Sequence, residues 1–492
     1  MNFIHLRILC LISGLLLSSV GVLYAQEEKP RNIVFILIDD QRYDFLSFLD
    51  HPWIKTPHID RLAENSLYFT HAYVTTSLCS PSRASILTGQ YAHVHQVMDN
   101  DTRLPADTPT FPQLLQKEAN YHTGFIGKWH MGGSDDMPRP GFDYWASFKG
   151  QGNYFDPMLN IDSARIPFEG YTPDILTDLA VEYLKDQAQS SQPFMLYLSH
   201  KSIHEDFSPA PRHEGAYKDL EIPRPVTFPA TEETYRGKPL WLQRQRRSWH
   251  GSERDFGIQN YGTYDRFFQR YGECMLGVDE SIGRITEALE ELGILDETLV
   301  VYFSDNGYLM GEQGLIDKRV MYEPSIRVPA FIHCPALIPE GRVDDRFVLN
   351  IDFSSTFLDL AGVQIPEGMQ GSSLMPLLSG NPVPWRQAFL YEYFIDLKTP
   401  QTPTIFGLRT RTHSYMTYQG VWDPCELYDM EIDPDQRENL LGDIQFGQNY
   451  GTFLDQIQRQ APEKYIVVGA LEQKMDSILE ATEGRRVPVW AK

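Results

Sequence analysis

The chain alternates between short runs that are apolar throughout and longer stretches in which apolar residues recur with helical spacing. A run without polar alternation is typical of a strand that is buried on both faces of a parallel sheet. Such runs are found at residues 32–38, 123–126, 194–198, 299–303 and 330–332. Helical spacing is found at residues 110–118, 173–187 and 271–292. The alternation predicts an α/β fold in which helices flank a large, mainly parallel sheet.

The pattern changes after residue 384, where short apolar segments are joined by turn sequences. These segments predict the strands of a small antiparallel subdomain: 388–393, 406–409, 414–418 and 426–428. Residues 471–482 predict a closing helix. We therefore predict a catalytic domain over residues 26–385 and a C-terminal subdomain over residues 386–492.

Residues 217–265 are rich in Pro, Arg, Trp and Tyr but have no clear periodicity. Long segments of this kind in an α/β domain often carry functional loops. We interpret this stretch as a surface excursion close to the functional site.

The first 25 residues have the features of a signal peptide. Arg7 precedes an apolar run at residues 8–17, and Ala25 supplies the small residue that cleavage requires. An uncleaved membrane anchor is the alternative, but the run is short for a membrane span and Ser13 and Gly14 interrupt it. We expect export to the periplasm or the medium, cleavage near Ala25, and no stable membrane insertion.

Charge and cysteine content exclude several classes of function. The 492 residues include 43 basic and 66 acidic side chains, a formal net charge of -23. Such a surface repels polyanions, which argues against nucleic-acid binding, and an anionic substrate would need its cations gathered in a pocket. Apart from Cys10 and Cys79, only Cys274, Cys334 and Cys425 remain. This odd number predicts no disulfide framework, although one pair stays open.

Two of the predicted strands end in oxygen-bearing side chains. Asp39 and Asp40 follow the first run, and Asp305 and Asn306 follow the run at residues 299–303. Ligands of such sheets bind at the carboxyl ends of the strands, and adjacent carboxylates repel each other unless a cation lies between them. Oxygen ligands suit calcium or magnesium. Each pair alone is also a common turn, so the metal hypothesis depends on the two together.

Residues 79–89 (CSPSRASILTG) predict a turn that leads into a helix. A cysteine at a helix N-terminus experiences positive potential, which can make it reactive. From composition alone, however, Cys79 is better interpreted as an ordinary buried thiol.

The same run resembles the signature of the type I, formylglycine-dependent sulfatases: Cys-x-Pro-Ser-Arg followed by Leu-Thr-Gly. This resemblance implies that a maturation enzyme oxidises Cys79 to formylglycine (3-oxoalanine), which is hydrated to a geminal diol. One hydroxyl would attack sulfur, and the other would then expel sulfate as the aldehyde reforms. The resemblance extends from about residue 32 to about residue 440, and it implies an alkaline-phosphatase-like sandwich.

The resemblance also implies a metal site and a set of catalytic side chains. Asp39, Asp40, Asp305 and Asn306 match the family's metal ligands, with modified Cys79 as a further one. Asn306 fits the calcium form better than a magnesium form. The ion would act as a Lewis acid toward the sulfate.

Four further positions match residues that surround the sulfate in this family. Arg83 matches the arginine that steadies formylglycine, and Lys128 matches a lysine that binds sulfate. His130 would be the base in the release step, because its side chain titrates near neutrality. Lys318, at the end of the segment GEQGLIDK, would contact the sulfate and stabilise the leaving group.

The segment PFMLYLSHKSIH resembles the part of the family that carries another histidine. His204 would contact the sulfate or the bridging oxygen, and His200 is interpreted as structural. Many relatives have proline two positions after this histidine, whereas Glu205 and Asp206 follow here.

Residues 150–157 and 426–429 are similar to those of bacterial carbohydrate sulfatases and N-acetylglucosamine-6-sulfatases. We therefore expect a sulfated polysaccharide or oligosaccharide as substrate, either a glycosaminoglycan or an algal polysaccharide such as ulvan. A phosphonate monoester or phosphodiester hydrolase of the same superfamily is one alternative. A non-catalytic protein that binds sulfated glycans is the other, although the complete residue set argues against it.

Overall fold

The computed structural model describes residues 32–253, 260–419, 425–444 and 453–486, so the predicted signal peptide lies outside the described residues. The strands are β1 Asn32–Ile38, β2 Leu67–Phe69, β3 Ala72–Tyr73, β4 His122–Lys128, β5 Tyr144–Phe148, β6 Met158–Ile161, β7 Ala164–Pro167, β8 Phe194–Ser199, β9 Thr298–Ser304, β10 Leu309–Met310, β11 Ile316–Asp317, β12 Ala330–His333, β13 Arg342–Asp344, β14 Val348–Leu349, β15 Ala388–Tyr393, β16 Thr404–Thr410, β17 His413–Gln419 and β18 Glu426–Asp429.

The α-helices are α1 Pro57–Glu64, α2 Cys79–Thr88, α3 Ala92–His95, α4 Phe111–Ala119, α5 Thr172–Gln187, α6 Glu232–Tyr235, α7 Leu240–Gln245, α8 Tyr264–Glu291, α9 Glu323–Ile326, α10 Asp352–Leu360, α11 Met375–Leu378, α12 Phe453–Gln460 and α13 Pro462–Ala481. Helix α8 begins seven residues before the predicted start, because the side chain of Thr263 accepts a hydrogen bond from the Arg266 amide and caps it. Helix α13 likewise begins earlier than predicted, with Pro462 in its first turn.

Ten strands form the main sheet, in the order β13-β2-β12-β9-β1-β8-β4-β5-β6-β7. The central strands from β9 to β5 are parallel, as the sequence pattern predicts. Strand β12 is an exception, since it runs antiparallel to β9. The connection between them holds the β10–β11 hairpin and the short helix α9 in place of the long crossover helix that usually joins parallel strands.

Alternate residues of β1 enter two different apolar cores. Ile33, Phe35 and Leu37 belong to one core, and Val34 and Ile36 belong to the other. Side chains of a strand point alternately to opposite faces, so both faces of the sheet are covered. This explains the continuous apolar run, and the prediction of a doubly covered α/β sandwich is confirmed.

The C-terminal strands form a separate antiparallel sheet in the order β15-β16-β17-β18, as predicted. The exact domain boundary at residue 385 stays a prediction. None of the helices in the described ranges combines the length and the apolar character that crossing a membrane requires. Within these ranges no disulfide joins the four cysteines.

The predicted excursion at residues 217–265 contains α6 and α7 in its described part. Its residues 250–252 run beside the segment before Lys318: Gly251 forms a β-bridge with Leu315, and the Ile316 amide donates to the His250 carbonyl at 2.8 Å. The excursion therefore borders the Lys318 segment, which agrees with the predicted position near the site.

Candidate active site

The pairing of β1 with β9 brings the two predicted acidic pairs together. Ile38 lies opposite Ser304 in the parallel register, so Asp39 and Asp305 leave the sheet side by side. The Asp305 amide donates to the Ile38 carbonyl at 3.0 Å, and the Asp40 amide donates to Asp305 Oδ1 at 3.2 Å. All of these side chains are buried. Asp40 has φ 63, a left-handed conformation that turns the chain sharply after the strand.

Cys79 is the first residue of α2 and is fully buried. Its Sγ lies 3.7 Å from Asp39 Oδ1, and ligand atoms of Asp39, Cys79 and Asp305 all lie within 4.8 Å of one another. Burial raises the pKa of the Cys79 thiol to about 12. The suggestion that the helix terminus makes this thiol reactive is therefore not supported, because desolvation outweighs the dipole and the nearby lysines.

Arg83 lies one turn further along α2 and connects three strand ends. Its Nε donates to Asp305 Oδ2 at 2.8 Å, and its Nη1 donates to the Lys128 carbonyl at 2.8 Å and to Ser199 Oγ at 2.6 Å. Arg83 Nη2 is 3.6 Å from Asp39 Oδ2. Ser199 is not among the residues predicted from the sequence, although its position at the end of the apolar run 194–198 was a signal for it.

Two lysines complete the arrangement from opposite sides. Lys128, at the end of β4, donates to Asp39, and Lys318, directly after β11, donates to Asp40. Both lysines are at most 3% exposed. These contacts define the site cluster, which consists of Asp39, Asp40, Asp305, Arg83, Lys128 and Lys318.

The pKa values of the three carboxylates in the site cluster are shifted in different directions. For Asp39, burial raises the pKa, but Lys128 and Arg83 outweigh it and hold this pKa well below its usual range. Burial raises the pKa of Asp40 to about 7 although Lys318 opposes it. Burial and then the Asp39 charge also raise the pKa of Asp305. The protein's own cations therefore do not fully compensate the three acids.

A bound divalent cation would compensate the remaining repulsion between these carboxylates. Asn306 Nδ2 donates to Asp40 Oδ1 at 2.5 Å, but the buried Asn306 Oδ1 has no hydrogen-bond partner among the described residues. A buried oxygen without a hydrogen-bond partner, beside crowded carboxylates, forms a set of oxygen ligands that suits a hard cation. Asp39, Asp40, Asp305 and Asn306 would be its ligands.

The predicted histidines occupy different positions. His130, with φ 66, places Nδ1 3.4 Å from Ser80 Oγ, and burial followed by Lys128 lowers its pKa well below the ordinary value. His204 Nε2 lies 3.9 Å from Asp40 Oδ2, and burial followed by Lys128 likewise lowers its pKa. His200 faces α8 instead, with Nε2 3.0 Å from Ser281 Oγ.

Two sequence models of protein families match the chain. The model described as Sulfatase matches residues 31–363, and the model described as N-sulphoglucosamine sulphohydrolase, C-terminal, matches residues 311–462.

Curated relatives are similar over nearly the whole chain. An N-acetylglucosamine-6-O-sulfatase of Bacteroides thetaiotaomicron is 32% identical, with 88% of this chain and 87% of the relative covered. Human N-acetylglucosamine-6-sulfatase is 32% identical (89% and 85% covered), and an ulvan-active sulfatase of Formosa agariphila is 29% identical (86% and 79% covered).

Solved structures share the fold. A structure in complex with its substrate D-glucosamine-2-N,6-O-disulfate has a TM-score of 0.80 and 29% identity, covering 92% of this chain and 98% of that chain. The phosphonate monoester hydrolase of Agrobacterium radiobacter has a TM-score of 0.72 and 21% identity, covering 92% of this chain and 96% of that chain, which shows a common fold only.

Proposed function

Since the chain belongs to the type I sulfatase family, we propose that it works with one Ca²⁺ and with formylglycine made from Cys79. The protein is a sulfuric ester hydrolase, and the sulfate esters that it hydrolyses are those of glycans. The observation that carries the proposal is the buried site cluster around Cys79, in which two carboxylates and the thiol converge within 4.8 Å. Formylglycine would supply a hydrated aldehyde as the nucleophile, and the ion would supply Lewis acidity toward the sulfate.

The charges of the site cluster suit an anionic substrate. Arg83, Lys128 and Lys318 equal the three carboxylates in number but do not fully offset their mutual repulsion, and a bound divalent ion would add two positive charges. These charges lie in a buried site, where they act more strongly than in water. The pocket thus provides the attraction for sulfate that the acidic surface lacks.

Lys128 and Lys318 would hold the sulfate oxygens, while Arg83 keeps Asp305 and the end of β4 in place. His130 would accept a proton from the hydrated aldehyde. Burial and Lys128 lower its pKa well below the near-neutral value expected from the sequence, so the imidazole is neutral near pH 7 and able to accept a proton, but it is a weaker base than expected. His204, beside Asp40, would contact the bridging oxygen of the ester.

We propose an amino-sugar sulfate of a glycosaminoglycan as the first substrate class to test, because the most similar relatives described above are N-acetylglucosamine-6-sulfatases. An algal polysaccharide such as ulvan is the second class, on the basis of the Formosa relative. We also propose export through residues 1–25 and maturation by a formylglycine-generating enzyme.

The test is a desulfation screen over defined sulfated oligosaccharides with enzyme that is co-expressed with a maturation enzyme. Mass spectrometry of the peptide across Cys79 should show loss of the thiol and gain of the aldehyde, and Cys79→Ala should release no sulfate. Faster turnover of a phosphodiester than of any sugar sulfate would favour the phosphonate monoester hydrolase alternative instead.

A further inference from the structure

His204 lies on a short loop that follows β8 and is fastened to the end of β1. The Asp39 amide donates to the Ser202 carbonyl at 2.9 Å, and the Ile203 amide donates to the Asp39 carbonyl at 2.6 Å. The loop is thus fixed as far as residue 203. His204 comes one residue later. Its amide donates to the Lys201 carbonyl at 3.0 Å, and the direction of its ring depends further on what holds the next two carbonyl groups.

Tyr154 holds the first of these carbonyls. Its hydroxyl donates to the His204 carbonyl oxygen at 2.8 Å, and the residue is only 4% exposed. Its backbone is anchored at the start of α5, because the Thr172 amide donates to the Tyr154 carbonyl at 2.8 Å and Thr172 Oγ1 donates to the Asn153 carbonyl at 2.7 Å.

Lys201 holds the second carbonyl from the same side. Its ammonium donates to the Glu205 carbonyl at 3.5 Å and lies 4.5 Å from the centre of the Tyr154 ring. His204 Nδ1 lies 2.5 Å from the same Glu205 carbonyl oxygen. Since a carbonyl only accepts, Nδ1 carries the hydrogen and Nε2 is the nitrogen that faces Asp40.

A buried lysine with one long hydrogen bond and an aromatic neighbour contributes little to stability, because desolvating its charge is costly. Its position is better explained by the loop that it holds. Together, the two side chains fix both carbonyls next to the imidazole, and one of these carbonyls sets the direction of the ring.

We propose that Tyr154 and Lys201 are positioning residues that form a clamp on the His204 loop and aim Nε2 at the bridging oxygen of the sulfate ester. When the ring carries a hydrogen on both nitrogens, the Glu205 carbonyl would keep the one on Nδ1, and the one on Nε2 would pass to the bridging oxygen as its bond to sulfur breaks. This inference rests on the role proposed for His204. It also gives a role to Tyr154 within residues 150–157, the segment that resembles those of carbohydrate sulfatases.

The test compares a sugar sulfate with 4-nitrophenyl sulfate. A sugar alkoxide is a poor leaving group that needs help at the bridging oxygen, whereas 4-nitrophenolate needs little. Tyr154→Phe and Lys201→Met, made in the matured enzyme, should each lower kcat/KM about tenfold for the sugar ester and about twofold for the aryl ester. His204→Gln should shift the ratio further, and adding Tyr154→Phe to it should cause no additional shift.

Tyr183→Phe is the matched control, since its buried hydroxyl also donates to backbone carbonyls, of His122 at 3.1 Å and Met195 at 3.3 Å. It should change the melting temperature but not the ratio of the two substrates. If His204→Gln shifts the ratio and either clamp variant does not, the clamp is wrong while the proposed function stands. If His204→Gln itself keeps the wild-type ratio, the role proposed for His204 fails, and the clamp fails with it.

Discussion

Among the buried groups of charged and polar side chains in the described residues, two clusters are built in opposite ways. One is the site cluster at the carboxyl ends of the parallel strands. The other, which we call the tyrosine cage, joins the C-terminal sheet to the catalytic part of the chain. It consists of Glu426, Tyr322, Tyr418, Tyr428 and Lys238.

The tyrosine cage gives hydrogen-bond partners to both of its charged groups, although burial lowers the pKa of Lys238 to about 8. Tyr418 and Tyr428 donate to different oxygens of Glu426, and Tyr322 donates to Oε2 at 2.9 Å. Lys238 donates to the Tyr428 hydroxyl at 2.8 Å and to the Gln436 carbonyl at 2.6 Å.

The site cluster, in contrast, crowds three carboxylates together and leaves Asn306 Oδ1 without a partner among the described residues. Burial keeps the pKa of Asp40 at about 7 despite Lys318. A satisfied network stabilises the fold, whereas an unsatisfied one marks a place that a ligand completes.

Removal of divalent cations should have the largest effect, and it tests whether the site cluster needs an ion. Chelation of the matured enzyme should lower kcat more than about 100-fold, since a Lewis acid contributes several kcal/mol at such a centre. Stability should also fall, by about 2.7 kcal/mol for an ion that had been present at 100 times its Kd. Added Ca²⁺ should restore both the rate and the melting temperature. If chelation changes neither, the site cluster is complete without an ion and the contrast is wrong.

A pair of matched substitutions separates the two clusters by function. Lys318→Met should lower kcat/KM about 100-fold or more, because it removes a preorganised cation from the charge that develops on the ester. Lys238→Met makes the same chemical change in the tyrosine cage and should leave kcat/KM within about threefold. Initial rates on one sugar sulfate measure both. Equal losses in the two variants would show that the cage also serves the reaction.

The sequence predicts the framework of the site better than its connections. Strand β1 has the predicted bounds, and the residues after β1, β4, β8 and β9 meet at one edge of the sheet, because parallel strands share the direction of their carboxyl ends. The run at residues 330–332 is the exception, since β12 is antiparallel. The bond from Arg83 to Ser199 follows from β8 lying between β1 and β4. The bond from Tyr154 to the His204 loop depends on the same strand order. A linear pattern does not determine that order.

Glu426→Gln tests whether the tyrosine cage contributes to stability and not to catalysis. It removes the charge that three tyrosine hydroxyls stabilise, and we expect the free energy of unfolding to fall by about 1.5–3 kcal/mol. Urea denaturation measures this loss, and kcat on the sugar sulfate should remain within about twofold. A large loss of kcat without a loss of stability would mean that the cage acts on the Lys318 segment, since Tyr322 follows that lysine closely in sequence.

The smallest expected effect concerns the half-buried His93 and the buried Glu392, a pair whose polar atoms have partners, like those of the cage, but which titrates. His93 Nδ1 is 2.8 Å from Glu392 Oε2, and Nε2 is 3.3 Å from the Thr482 carbonyl, so both ring nitrogens face acceptors. Burial lowers the pKa of His93, but the hydrogen bond and charge of Glu392 outweigh it and the net pKa is raised. The pair therefore stabilises the fold fully below the unfolded pKa of about 6.5, and this stabilisation is lost as pH rises through the folded value.

His93→Gln should consequently cost about 1–2 kcal/mol at pH 6, and the difference from wild type should shrink toward pH 9 in urea denaturation. His71→Gln is the counter-case: burial, followed by the Arg327 charge, lowers the pKa of His71 to about 4. Near pH 6 the unfolded state therefore takes up a proton that the folded state does not, so the cost of His71→Gln should grow, and not shrink, from pH 6 toward pH 9. A His93→Gln difference that stays constant or grows with pH would contradict the prediction. In that case His93 and Glu392 would interact through a hydrogen bond whose strength does not depend on the protonation of His93.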